Sequence, residues 1–126
     1  MINIFLVFIG GAFGCCARYL SNEAMVHFVR ERFFLATMTV NIVGSFLIGI
    51  LDFLFIYKAQ IFSPSMRLFM VVGFLGGFTT FSTFALDIFK LIDTNQAGSA
   101  IIYAVLSVNL SIIAVVFGFF LMKLLL

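Results

Sequence analysis

The chain has 126 residues, of which 64% are hydrophobic and only 10% are Asp, Glu, Lys or Arg. Soluble domains carry about 25% charged residues, and a domain of this length has too little interior to hide so much apolar surface. Seven basic against five acidic side chains leave a net charge of +2, too small and too scattered for a nucleic-acid surface. Lipid is the solvent that remains.

Charge spacing points the same way. Residues 1–17, 33–51, 68–86 and 94–122 contain no Asp, Glu, Lys or Arg, and together they make up 84 of the 126 positions. A hydrocarbon core about 30 Å thick takes roughly 20 helical residues to cross. The pattern predicts an all-α, polytopic membrane protein, one domain over residues 1–126, with transmembrane helices near 3–24, 33–57, 67–92 and 99–125.

The first helix has no basic start, so it does not read as a signal peptide. Cys15 and Cys16 are neighbours whose side chains diverge by about 100° on a helix; they read as small packing residues rather than a disulfide. No metal-ligand spacing joins them to His27 or to the acids. Gly10, Gly11, Gly14 and Ala17 form a small-residue stripe that lets backbones approach. Arg18, one position later, has two readings: an interfacial marker, or the anchor of a polar network that attracts an anion at a vestibule.

In the second helix Asn41, Ser45, Gly49 and Asp52 share a face, and Thr37 extends it by one turn. An amide in lipid must face protein or water. Asn41 therefore serves either as interhelical glue or as an N–H donor to a passing anion. Asp52, near the far end, reads as interfacial.

The third segment is the least ordinary. Over Gly73-Phe74-Leu75-Gly76-Gly77-Phe78-Thr79-Thr80-Phe81-Ser82-Thr83-Phe84, glycines and hydroxyl residues crowd into the middle of a span. Gly and β-branched residues weaken a helix, and Thr and Ser compete for its backbone bonds, so a break is expected around residues 76–80. Irregular backbone at that depth is tolerated where it lines a cavity, and freed carbonyls there can hold a cation. Phe81 and Phe84, three apart, project to one side; their positive ring edges suit a bare anion, and core filling is the plainer alternative.

The fourth helix places Tyr103, Ser107 and Ser111 at four-residue intervals, one line of hydroxyl donors on an apolar helix. Asn109 lies off that line and is expected to bind a neighbouring helix. The hydroxyl line reads as free of acidic residues, whereas cation and proton paths usually carry an embedded carboxylate. No nucleophile–base or metal set supports an enzyme.

Basic residues at the two ends nearly balance. Lys58, Arg67 and Lys123 stand against Arg18, Arg30, Arg32 and Lys90, and the N-terminal amine evens the count. Orientation normally follows a bias in such loops, so this chain is free to insert either way and to pair head to tail.

Gly10-Gly11-Ala12 with Arg18-Tyr19, Thr39-Val40-Asn41-Ile42-Val43-Gly44-Ser45-Phe46 with Gly49, and the whole Gly73–Phe84 block give the chain its resemblance to the CrcB/Fluc fluoride channels. The last block is the specific one; a bare GG or TVN is not. The resemblance implies an antiparallel homodimer of four-helix subunits in a bacterial inner membrane, inserted in both orientations, with two pores for passive fluoride export. It implies that Asn41, Phe81 and Phe84 line the pore, that Thr80, Ser82 and Thr83 belong to the surrounding motif, and that Tyr103, Ser107 and Ser111 form a polar track. It also implies a structural Na⁺ at the dimer centre on the backbone carbonyls of Gly76 and Thr79. The rivals are a small four-helix multidrug or cation transporter, whose class needs a carboxylate embedded in its first helix where this chain has only Glu23, beyond Arg18 at the helix's end, and a non-transporting membrane scaffold.

Overall fold

The computed structural model of the chain describes residues 1–29 and 32–126. Arg30, counted above among the basic residues of the first connection, lies outside the described residues. The elements are α1 (Ile2–Phe28), α2 (Phe34–Tyr57), α3 (Pro64–Arg67), a π-helical stretch (Leu68–Leu75), α4 (Gly76–Phe78), α5 (Phe81–Asp93) and α6 (Ala97–Leu125). From Pro64 to Asp93 they form one span, and among the described residues four such helices are long and apolar enough to cross a membrane.

The first span runs four residues past the predicted end at Ala24, to Phe28. Glu23 interrupts the apolar run but does not break a helix: Glu is a good helix former, and nothing from Asn22 to Phe28 is Gly or Pro. The third span begins earlier than predicted because Ser63 caps it, its hydroxyl accepting from the Met66 N–H at 3.2 Å, with Pro64 at the first helical position.

Glycines set the helix spacing. A Cβ on Gly10 would collide with the Phe69 carbonyl oxygen, and one on Gly14 with that of Phe74. The third span answers with Gly73 and Gly77 against the backbone of α1. Gly49 meets the Val115 carbonyl in α6, and Gly118 meets Phe46 in α2. The chain thus builds two close helix pairs, α1 with the third span and α2 with α6, the small-residue packing that membranes favour where apolar burial gives no drive.

A small core joins the pairs at one end. Phe84, Leu91, Ala100 and Tyr103 are buried there, with Phe34 and Met38 of α2 packed on them. At the same end the Lys90 ammonium lies 5.6 Å above the Phe33 ring. Most other large apolar side chains of α1 and α6 face outward, as lipid contact requires: Phe5, Phe8, Ile113 and Phe117 are all exposed.

Candidate functional site

Midway along the Pro64–Asp93 span the backbone leaves the helix. Thr79 (φ −86°, ψ 159°) and Thr80 (φ −153°, ψ 120°) are both extended, and they separate α4 from α5. Three local bonds define the edges of this step. Thr79 still bonds back to the Leu75 carbonyl through its N–H at 3.0 Å and its hydroxyl at 2.9 Å. Thr80 caps α5, its hydroxyl oxygen accepting from the Thr83 N–H at 3.2 Å.

In a continuous helix the Thr80 N–H would donate to Gly76. Here it donates to Asn41 Oδ1 at 2.8 Å, while Asn41 Nδ2 donates to the Thr80 carbonyl at 3.0 Å. One side-chain amide thus satisfies both polar groups of one displaced peptide residue. Left unpaired, each buried group would cost about 1–3 kcal/mol. The interhelical role weighed for Asn41 is therefore filled, and one of its two amide hydrogens is left over.

An open groove of about 440 Å³ lies beside this step, between α2, the third span and α6. Asn41, Phe81, Phe84, Ser107 and Ser111 line it, as do Ser45 and the carbonyl-bearing Gly76 and Thr79. The hydroxyls of Ser45, Ser107 and Ser111 make no hydrogen bond among the described residues, so their protons are available to a guest. The N-terminus of α5 also opens on the groove at Thr80 and Phe81, and a helix start carries partial positive charge. Most of the lining is apolar. The wall offers donors and no carboxylate.

The two phenylalanines differ. Phe84 is 8% exposed and rests on the Tyr103 ring at 5.2 Å, whereas Phe81 is 79% exposed, its ring 5.5 Å from that of Phe84. The motif hydroxyls turn inward on one another: Thr80 Oγ1 donates to Thr83 Oγ1 at 3.0 Å and lies 3.4 Å from Ser82 Oγ. Arg18 stands outside the groove and, among the described residues, donates to Cys15 Sγ at 3.9 Å. Asn109 bonds to the Val105 carbonyl of its own helix rather than to a neighbour.

Tyr103 does not face the groove with Ser107 and Ser111. It is 2% exposed, and its hydroxyl donates to Asp87 Oδ2 at 3.5 Å. Thr37 donates to the same oxygen at 2.7 Å. The hydroxyl line is therefore not free of acid, and this corrects the sequence reading. Asp87 follows directly on the charge-free stretch 68–86, and α5 rotates it inward, to 3% exposure. A signal was present, since Phe84 and Asp87 lie three apart and so share a face.

The step also frees two carbonyls. Gly76 and Thr79 accept no hydrogen bond among the described residues, and Gly76 is exposed. Uncharged oxygen atoms of this kind suit a hard monovalent cation, so the donor set fits the Na⁺ expected at these positions. No group of three or more His, Cys, Asp or Glu is placed to hold a metal among the described residues.

Four apolar spans with a donor-lined groove at mid-depth define a multi-pass helical membrane protein built to handle a small solute. The chain belongs to the CrcB family: residues 5–119 match the family described as CrcB-like protein, Camphor Resistance (CrcB). It is 42% identical over 116 residues to the fluoride-specific ion channel FluC of Cereibacter sphaeroides (strain ATCC 17029 / ATH 2.4.9), covering 92% of this chain and 90% of that one. It is 44% identical over 123 residues to the FluC of Rhizobium meliloti (strain 1021), covering 98% of each. With the FluC of Agrobacterium fabrum (strain C58 / ATCC 33970) it shares 46% identity over 118 residues, 94% of each.

Proposed function

We propose that this protein is a fluoride-selective channel, not an enzyme, which lets fluoride leave the cytoplasm passively across a bacterial inner membrane. The observation that carries the reading is the groove itself: free serine hydroxyls, the spare Asn41 amide hydrogen and the α5 N-terminus converge there without a carboxylate on the wall. A bare anion needs such donors to replace its water. The relatives' name, fluoride-specific ion channel, agrees with that chemistry.

In this reading the chain acts as one four-helix unit whose third span is broken at Thr79 and Thr80. Asn41, Phe81, Phe84, Ser107 and Ser111 form the ion path, Thr80, Ser82 and Thr83 hold the break, Tyr103 continues the hydroxyl line, and Arg18 attracts anions at the mouth. The groove is open because its other wall belongs to a second copy, paired antiparallel, and nearly balanced basic residues let both orientations insert. The Gly76 and Thr79 carbonyls of each copy would hold a Na⁺ between them, whose charge joins the two chains.

Purified protein reconstituted into fluoride-loaded liposomes tests the core of this. An ion-selective electrode should register rapid fluoride efflux while chloride stays inside. Efflux no faster than from empty vesicles, or chloride passing equally well, overturns the reading.

A further inference from the structure

Helices α2 and α6 run side by side in the same direction, and two contacts fix their register. At one end Thr37 and Tyr103 meet on the same oxygen of Asp87. At the other, Gly49 lies against the Val115 carbonyl. On each helix those two levels are three four-residue steps apart, so the steps between them also come level: Asn41 with Ser107, then Ser45 with Ser111. All four residues line the groove. A hydroxyl inside a membrane span ordinarily hides on the carbonyl one turn back, as Ser21 does on Ala17, Thr39 on Leu35 and Thr79 on Leu75. Ser45 and Ser111 do not, and neither finds another partner among the described residues. Gly44, beside Ser45, has no room for a Cβ because the Thr79 side chain presses on α2 there. Ser45 thus meets the groove next to the break in the third span.

We propose that Ser45 is a further ion-binding residue: with Ser111 it forms a two-hydroxyl subsite for a dehydrated fluoride, one turn beyond the level of Asn41 and Ser107. Hydroxyls from two facing helices can both turn their protons to one small acceptor, and hydrogen bonds to an ion are the strong ones. This is the last polar level of the groove. Beyond it Ile48 and Ile112 form the wall, and Gly49 closes on Val115. The two polar levels lie about 6 Å apart at the rise of an α-helix. Neighbouring weak sites suit conduction, because an ion must be able to leave each one it enters. Neither serine has to change its charge for this. The inference rests on the fluoride reading above and deepens it by giving the ion a second contact on α2.

The test measures fluoride efflux from liposomes holding wild type, Ser45→Ala, Ser111→Ala or both changes together. Ser45→Ala removes only a hydroxyl without a partner in the subunit, so helicity and melting should match wild type. Fluoride efflux should fall about tenfold, the loss expected when one hydrogen bond to an ion disappears. Two hydroxyls on one ion act as a unit, so the double variant should be little worse than either single one. Ser45→Thr keeps the hydroxyl and should keep most of the flux. Undiminished efflux in Ser45→Ala, or single losses that multiply in the double variant, overturns the proposal, since a hydroxyl with a separate structural duty would act independently of Ser111. If Ser45→Ala does not assemble, Ser45→Cys decides the matter. It keeps the bulk with only a weak donor and should conduct far less than Ser45→Thr; equal flux in those two variants overturns the proposal. Wild-type vesicles that retain fluoride overturn the channel reading and this inference together, whereas selective wild-type flux with an unaltered Ser45→Ala overturns the inference alone.

Discussion

Asn41 and Phe81 show how residues of one groove carry different risks when changed. Asn41→Ala strips both bonds from Thr80 and leaves two backbone groups unpaired, at about 1–3 kcal/mol each. Asn41→Asp keeps an acceptor for the Thr80 N–H but sets carboxylate oxygen against the Thr80 carbonyl and loses the spare donor. Both variants should lose fluoride flux; Asn41→Ala should also melt at lower temperature by circular dichroism. Phe81→Ile is the opposite case. Phe81 is 79% exposed in a single chain, so nothing in the subunit's core depends on it. The swap should leave the subunit's helicity and melting unchanged and cut flux if ring edges face the ion, because it keeps bulk and removes the quadrupole. Near-normal flux in Phe81→Ile would take that ring out of the mechanism.

Helix pairs are held at distances that only a hydrogen side chain permits. A Cβ on Gly49 would overlap the Val115 carbonyl oxygen, and backbone cannot swing aside as a side chain can. Gly49→Ala should therefore destabilise the α2–α6 pair by about 1–3 kcal/mol, the range for overpacking. Gly98, in the first turn of α6, has open space where a methyl group would project, with no atom within 4 Å. Gly98→Ala should accordingly be neutral or stabilise by up to about 1 kcal/mol. Thermal melts of the two single variants, read side by side, check this contrast. The stripe of Gly10 and Gly14 is legible in the sequence, but its partners Gly73 and Gly77 are not tied to it there, because spacing marks a face and not what the face meets.

Across the whole molecule, the outward apolar faces suit a chain that sits in lipid, and the open groove is the face that the pairing proposed above would cover. Lys90 stacked on Phe33 puts the end of α5 and the start of α2 at one end of the bundle, with Lys58 and Lys123 at the C-terminal ends of α2 and α6. If balanced charge permits both orientations, adding three lysines near residues 59–61 should force one orientation and reduce flux in liposomes. Co-expression with a copy biased the other way should restore it. Full activity from the singly biased copy would reject pairing between opposite orientations.

The apolar runs of this chain are enough to specify the four spans, because lipid leaves a backbone no option but to bond within each segment. The crowding of Gly and Thr over residues 73–84 marks where one span is weakest, since those residue types favour the helix least. The partner of each polar group, by contrast, comes from packing. Asn41 is visible in the sequence as an amide that needs hydrogen bonds, but its match to the Thr80 peptide is a contact across 39 positions. Asp87 follows directly on the charge-free stretch 68–86, and the rotation of α5 about its own axis brings it between Thr37 and Tyr103. Composition tells how many polar groups must be satisfied; the packing of three helices against one another chooses which ones meet.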